Sequence, residues 1–560
     1  MDLSQLGFGE KLVLLSVYCY ILFKFLNIYI AIVIVIGTFT VIYMHLKNQS
    51  EYWKRHGIDG PGGNILFGNN LELRKGFGVI DTEWTKKYGK VFGTIIFGQP
   101  DLVVSDLEIM RRVLAKDFSN FTNHRRMLGL KMPKESDRIG TKVLLVLENE
   151  HWKNVRNTIT PAFTTAKMKS MVPVFNDTLK IFGEVMSKYA TSGAPMDLKE
   201  VCGGFAMDVI AKSAFGMDID AQRDSSTPFI KHAKEIFNIT SNPKIFFFLL
   251  FPNTVRELEK IFKFQYLFAE GEKFFKGVLR AMTAERQQNP KKVNPDFLQL
   301  LINAADEQVE KSDVDKDIIH EEISSGKRVK LTELEMMSQS YLFLLAGYDT
   351  TATTLHFALY LLAVHPEIQD KAADEIDTVV GEANDISYDH VSKLTYLDQI
   401  ISETLRMFPA PRIDRYCSKD TTVNGVTIPK GCVVSIPVYV IHYDPEIYPD
   451  PQKFDPERFS PEEKARRDPL TYLPFGYGPR NCIGMRFAQL EIRMALAYLL
   501  KNFKFTPCEQ TEVLPNSSST KVNDNVVHSK RFTVEPAYKR VKRKLKIFLM
   551  SMFYYMDKKS

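Results

Sequence analysis

Apolar residues dominate the first fifty positions, and the mixed pattern of a folded domain follows. Leu12 to Phe23 is apolar, Lys24 interrupts, and Phe25 to Leu46 is apolar again apart from Asn27 and His45. The second run has 22 residues, and a helix crosses a bilayer with about 20. The first has 12 and is too short to cross alone. No small-residue cleavage site follows, so the pattern predicts a retained anchor within 1–46, spanning about 25–46, rather than a removed leader. A two-helix hairpin from Leu12 to Leu46 satisfies the same pattern. Lys47, Lys54 and Arg55 follow the span, whereas Asp2 and Glu10 precede it. The positive-inside rule then leaves the body on the cytosolic side in either arrangement. Residues 47–63, basic and then turn-rich, read as a linker.

Beyond it, Val91 to Ser105 reads as two β-branched strands around a turn at Gly98-Gln99-Pro100-Asp101. Helical periodicity then dominates to about residue 400. Strand-like segments return at Thr422–Pro429 and Val433–Pro437, and an apolar, helix-forming run follows from Met485 to Leu500. This predicts a mainly α fold with a minor β-sheet and no internal repeat. The stretch Pro290–Val329, rich in Lys, Asp and Glu, reads as a solvated loop with short helices. Lys244–Pro252 is unusually apolar and aromatic, for which core packing is the default explanation.

Composition narrows this little. Hydrophobic residues make up 45% of the 560 and charged residues 25%, enough for a large core. The net charge of +6, from 73 basic and 67 acidic residues, does not point to nucleic acid but suits an anionic membrane surface or an acidic partner. Six scattered cysteines with no C-x-x-C pair indicate a reducing compartment and one functional thiol.

That thiol is Cys482, in Phe475-Gly476-Tyr477-Gly478-Pro479-Arg480-Asn481-Cys482-Ile483-Gly484. A metal-binding thiolate needs a lowered pKa and donors aimed at sulfur, and the start of the following helix offers both. Glycines 476, 478 and 484 permit sharp turns and close approach to a flat ligand. Three more constellations carry chemistry. Trp152 and Arg156 lie one helical turn apart, an indole and a guanidinium placed to bind a carboxylate. Tyr341–Thr354 is an apolar helix that carries Gly347, Asp349, Thr350 and Thr351 in its middle, where a glycine and a carboxylate are costly. Glu403 and Arg406 are an ion pair three residues apart.

Phe475–Gly484 fits the signature Phe-x-x-Gly-x-Arg-x-Cys-x-Gly at every fixed position, so the sequence resembles the cytochrome P450 family, haem-thiolate monooxygenases. Trp152/Arg156, Ala346–Thr351 and Glu403/Arg406 match further family motifs in the expected order. The stretch around Thr160–Phe163 and Met171–Pro173 resembles the microsomal clan that includes vertebrate drug-metabolising members. The resemblance implies a single catalytic domain, 64–540, and a haem b bound through Cys482 as axial thiolate. Phe475, Arg480, Trp152, Arg156, Arg415 and Arg125 are implied as further cofactor contacts, with His124 an alternative to Arg125. It also implies that Ala346 and Gly347 make room for dioxygen, that Thr350 and Asp349 deliver protons, and that Glu403, Arg406 and Arg458 brace the scaffold. Phe343, Ala346, Ala410, Pro411 and Ile413 are implied as pocket lining, and the 244–252 run as a channel cap touching the bilayer. The implied partners are an NADPH-dependent flavoprotein reductase, cytochrome b5, membrane lipid and a lipophilic small molecule, at the endoplasmic reticulum membrane. A haem-dependent isomerase or dehydratase, and a non-catalytic haem-binding protein, are the alternatives. The tail 541–560 departs from the family pattern and is assigned no role.

Overall fold

The apolar N-terminal run breaks at Leu26–Asn27, because the Asn27 side chain accepts a hydrogen bond from the Tyr29 N–H and caps a second helix. The result is two helices, α1 (Phe8–Phe25) and α2 (Ile28–Ser50). The computed structural model describes residues 6–126, 137–237, 242–262, 264–288, 296–305, 327–511 and 531–536. Among these, α2 is the one helix long and apolar enough to cross a membrane. It begins at Ile28 rather than Phe25 and runs on to Ser50, past the predicted end. The Tyr18 hydroxyl of α1 lies 3.1 Å from the Thr38 hydroxyl of α2, so the hairpin is the observed arrangement.

The stretch after α2 is not a free linker. Trp53 is buried, and its indole N–H donates to the Thr94 carbonyl at 2.8 Å. A Cβ on Gly93 would lie 2.1 Å from that indole, so glycine there makes the seat for the ring.

Trp53 seats on a hairpin of β1 (Val91–Ile96) and β2 (Gln99–Val104). Its turn is Phe97–Gly98, both with positive φ, the pattern of a type I′ hairpin turn. The predicted turn was too late: Gln99, Pro100 and Asp101 belong to β2. The helical body follows, with α3 (Asn149–Ile159), α4 (Thr165–Ser192), α5 (Leu198–Phe215), α6 (Pro243–Leu250), α7 (Pro252–Phe262), α8 (Glu333–Val364) and α9 (Thr395–Met407). Two short strands, β3 (Ile413–Tyr416) and β4 (Val433–Ile436), then complete a four-stranded sheet. Its order is β1-β2-β4-β3, with β4 parallel to β2 and antiparallel to β3. The predicted strand Thr422–Pro429 is instead a small hairpin turning at Asn424–Gly425, both at positive φ. Helix α10 (Met485–Asn502) follows the cysteine loop, and a hairpin of Phe503–Pro507 with Arg531–Pro536 closes the chain's described part.

The main core forms around α8, which is apolar on nearly all sides and therefore buried between α5 and α10. Thr332 and Glu335 start it with a reciprocal capping box. Along this buried helix, Ala346 and Thr350 stay exposed because they face a cavity.

The apolar stretch 244–252 spans α6 and the start of α7, and α1 docks against it. Glu10 accepts from the Thr254 N–H and from the Asn253 side chain, and Phe251 sits where a Cβ on Gly9 would be. Phe247, Leu258, Ile261 and Phe262 remain exposed beside this contact. Most of the charged stretch 290–329 and all of the tail 541–560 lie outside the described residues.

Candidate active site

The cysteine loop is held by its backbone. The Cys482 N–H donates to the Phe475 carbonyl at 2.8 Å, closing the loop just before α10. Gly476 and Gly478 have positive φ, and a Cβ on Gly478 would lie 1.9 Å from the Leu114 carbonyl oxygen, so no other residue fits there. Gly484 differs from the expectation: its φ is −84°, and it caps α10 with open space around it. Cys482 is exposed, but to the interior of a cavity of about 1530 Å³ that it helps to line. Burial pushes its thiol up, and the Gly484 N–H and the Arg156 charge pull it down without reversing the balance. The helix start therefore does not make a thiolate by itself; a metal cation at the sulfur would.

Three guanidinium groups gather at the same cavity. Arg156 on α3 donates to the Asn481 carbonyl at 2.7 Å and to its side-chain oxygen at 2.9 Å, tying α3 to the cysteine loop. Arg480 donates to the Thr122 and Leu147 carbonyls at 2.8 and 2.6 Å, with its guanidinium 4.1 Å above the Trp152 ring. Arg415 on β3 is 1% exposed, and its Nε and Nη2 have no hydrogen-bond partner; neither has the Nε of Arg156. Burial lowers the pKa of Arg156 and Arg415 to about 10. Burial, Arg415 and Arg156 together take Arg480 to about 8. Burial is the largest cause of these downward shifts, and an anionic ligand in the cavity would oppose it.

Arg125 is not part of that group. It donates to Asp101 at 2.8 Å and to Ser435 at 3.1 Å, and it does not line the cavity. The expectation is corrected in favour of its neighbour: His124 lines the cavity, 3.2 Å from Asp414 and 3.4 Å from Arg415. Burial and the nearby arginines keep His124 neutral-leaning, with its pKa below the usual histidine value. Burial opposes the Asp414 charge, but His124 and Arg125 outweigh it and hold its pKa near 2.

Across the cavity, α8 presents Ala346, Thr350 and Thr354 at helical spacing. The Thr350 hydroxyl donates to the Ala346 carbonyl at 2.7 Å, and the Thr354 hydroxyl to the Thr350 carbonyl at 2.9 Å. Such back-bonding competes with the helix's own bonds and bends helices. Gly347 has a second task the sequence did not suggest. A Cβ there would meet Ile210 of α5 at 3.0 Å, so glycine sets the close packing of α5 on α8. Asp349 also lines the cavity; burial raises its pKa, and Lys199 only partly offsets this.

Ala410, Pro411 and Ile413 line the same space, as does Phe343, packed against Phe163 and Phe297 at ring distances of 5.2 and 4.2 Å. Glu403 and Arg406 are fully buried and paired at 2.6 and 2.9 Å, with Arg458 at 3.4 Å from Glu403. They stand behind the cavity and do not line it. Sequence reasoning passed over Asn481, although it sits between Arg480 and Cys482 and carries the clamp from Arg156.

A flat, doubly anionic ligand carrying a metal fits these donors. The sulfur would supply the metal bond, and the unpartnered nitrogens of Arg415 and Arg156 would receive carboxylates. A haem held by a cysteine thiolate is a cofactor of this description. Residues 59–536 match the family described as Cytochrome P450, and the chain belongs to it as a cytochrome P450 monooxygenase with a haem-thiolate cofactor. Cytochrome P450 3A41 of Mus musculus is 37% identical over 482 residues, 84% of this chain and 90% of that protein. Cytochrome P450 3A7 of Homo sapiens is 37% identical over 476 residues, with the same coverage, and cytochrome P450 3A6 of Oryctolagus cuniculus is 36% identical over 484, covering 86% and 92%.

Proposed function

We propose that this protein is a membrane-anchored monooxygenase of the endoplasmic reticulum that inserts one atom of dioxygen into a lipophilic small molecule of the xenobiotic, steroid or fatty-acid type. The observation that carries the reading is the pairing of Cys482 with the Asp349–Thr350 wall across one largely apolar-lined cavity. The haem held there supplies one-electron and oxygen chemistry, with electron density from the thiolate. Arg415, Arg156, Arg480, Trp152 and His124 position its carboxylates, and Phe475 flanks the sulfur. Phe343, Ala346, Ala410, Pro411 and Ile413 exclude water and hold the substrate by apolar contact. Thr350, released from its bond to the Ala346 carbonyl, turns its hydroxyl into the cavity, and Asp349 recharges it with protons from solvent. The raised pKa of Asp349 brings the carboxyl nearer to the range where it exchanges protons at neutral pH.

Electrons come from an NADPH-dependent flavoprotein reductase, with cytochrome b5 as a further donor. Lys153 on α3 and Arg486 at the start of α10 are cationic residues that would suit an acidic docking surface. An isomerase or dehydratase has no use for the Asp349–Thr350 pair. Consumption of NADPH and oxygen with substrate present separates the readings, and a haem-binding protein without turnover would consume neither.

Four expected results follow from this reading. Thr350→Ala should retain haem while diverting electrons to hydrogen peroxide, measured as the ratio of product to NADPH oxidised; coupling as tight as in the parent would remove Thr350 from proton delivery. His124→Ala should weaken haem retention in a gel-filtration assay. Arg125→Ala should instead leave retention unchanged and cost about 1–2 kcal/mol in urea unfolding, because it removes one of two guanidinium partners of the buried Asp101 and leaves Arg412 at 3.1 Å as the other. For topology, Asn48-Gln49-Ser50 is a glycosylation sequon on the cytosolic side of α2 and should remain unmodified in microsomes; a glycan there would invert the assigned orientation.

A further inference from the structure

The anchor hairpin touches the catalytic body at a second place besides the chain that leaves α2. Tyr18 of α1 faces Thr38 of α2, and the two lie at similar distances from the break at Leu26–Asn27. The helices therefore run back alongside each other, and the start of α1 returns to the level where α2 meets the body. Most of α1 is exposed, but Gly9 and Glu10 in its first turn are buried. The Glu10 carboxylate accepts from the Gly7 N–H and the Asn253 side chain, both at 2.9 Å, and from the Thr254 N–H. Thr254 lies in the first turn of α7, where N–H groups lack helical partners and the dipole favours an anion. A Cβ on Gly7 would lie 2.2 Å from Pro252, and one on Gly9 would lie 2.4 Å from the Phe251 ring. At the far end of α7, Glu259 is 3.6 Å from Arg138, which is 3.5 Å from Glu272. Glu272 also accepts from the Gly140 N–H at 3.4 Å. A few residues on, Leu144 and Leu145 line the cavity.

We infer that Glu10 is a positioning residue for substrate capture: it caps α7 from the anchor and so holds the α7–Arg138–Leu144 side of the cavity at a fixed place against the membrane. The body is then moored at two points, the Trp53 seat after α2 and the Glu10 seat on α7. A single mooring would let the body turn about the chain that follows α2. The second decides which side of it meets the bilayer. That side is the apolar one: Phe8 packs on the half-exposed Phe67 at a ring distance of 5.5 Å, and Ile261 and Phe262 of α7 are exposed. A lipophilic compound dissolved in the bilayer thus meets this side of the body first. Gly9, Glu10, Asn253 and Thr254 do not line the cavity, so their effect falls on entry and not on the chemical step.

The inference rests on the membrane-anchored reading, which alkaline extraction of the parent from vesicles tests by itself. Two variants break the seat by different means in the full-length holoenzyme. Glu10→Ala removes the acceptor, and Gly9→Val drives a branched side chain into the Phe251 ring. Both keep α2 and should stay in the membrane. In each, amide hydrogen exchange should quicken at residues 253–256 and 138–145. For a lipophilic compound delivered in phospholipid vesicles, the concentration that half-saturates the haem absorption shift should rise by about 5-fold, the factor of one lost helix cap. KM should follow it while kcat at saturation stays at the parent value. Binding of imidazole, a small water-soluble haem ligand, should not change. Glu10→Gln keeps an acceptor oxygen and should restore most of the affinity. Parent-like exchange at 253–256, or parent-like half-saturation in both variants, overturns the inference. So does a fall in kcat with KM unchanged, which would mark a general structural role. If Glu10→Ala is not recovered from membranes, Gly9→Val decides the matter.

Discussion

Cys482→Ser is expected to leave a folded protein that has lost the thiolate-type spectrum of its reduced carbon monoxide complex and, with it, turnover. Nothing that shapes the loop depends on the sulfur. The Cys482 N–H bond to Phe475, the positive-φ turns at Gly476 and Gly478, and the Arg156 clamp on Asn481 are all retained. Serine is nearly the same size, and its hydroxyl does not ionise to become a soft, electron-rich ligand. Loss of an outer partner of a metal ligand typically costs about 10–100-fold in affinity or activity, and loss of the ligand itself should exceed that. Parent-like spectra in the variant would place the ligand elsewhere. Cys202, Cys417 and Cys432 are poor substitutes, since each is buried and none lines the cavity.

The largest effect on stability is expected at Arg406. Its guanidinium makes two bonds to Glu403 and further bonds to the His442 and Pro451 carbonyls at 2.8 and 2.9 Å, all behind the cysteine loop. Arg406→Ala leaves the fully buried Glu403 carboxylate with Arg458 at 3.4 Å and the Asp455 N–H as its remaining partners. Removing one member of a buried pair costs about 3–5 kcal/mol, because the other charge stays desolvated. The urea midpoint should fall by the corresponding amount, and the haem-loaded fraction with it. Glu403→Leu combined with Arg406→Met removes both charges and should recover part of the loss. The two carbonyls would still lack a donor, so recovery should be incomplete. Equal midpoints for Arg406→Ala and the parent would mean that the pair contributes nothing to the scaffold.

These two positions also mark what could be read in the chain alone. The Cys482 loop and the Glu403/Arg406 pair are local, a few residues with fixed spacing, and the structure puts them where local spacing implied. The places where reading went astray depend on distant partners. Arg125 and His124 are adjacent and both cationic candidates, and Asp101 from β2 together with Ser435 from β4 draws Arg125 away. Gly347 lines the cavity, and Ile210, more than a hundred residues earlier, gives it a packing role besides. The hairpin turns at Phe97–Gly98, both at positive φ as in a type I′ turn, and Phe97 carries no propensity that announces it. At the N-terminus, Asn27 was visible as a polar interruption, and its capping bond decides where α2 begins.

The central claim is that this cavity activates dioxygen for insertion into a lipophilic compound. The most direct test is the fate of isotopically labelled dioxygen in a reconstituted membrane system containing this protein, a flavoprotein reductase and NADPH. The substrate is first chosen as a lipophilic compound that shifts the haem absorption. The product should carry one labelled oxygen atom and the water formed should carry the other, with one NADPH oxidised per product in the coupled fraction. Product whose new oxygen comes from water, or product formed with no oxygen consumed, would contradict the account.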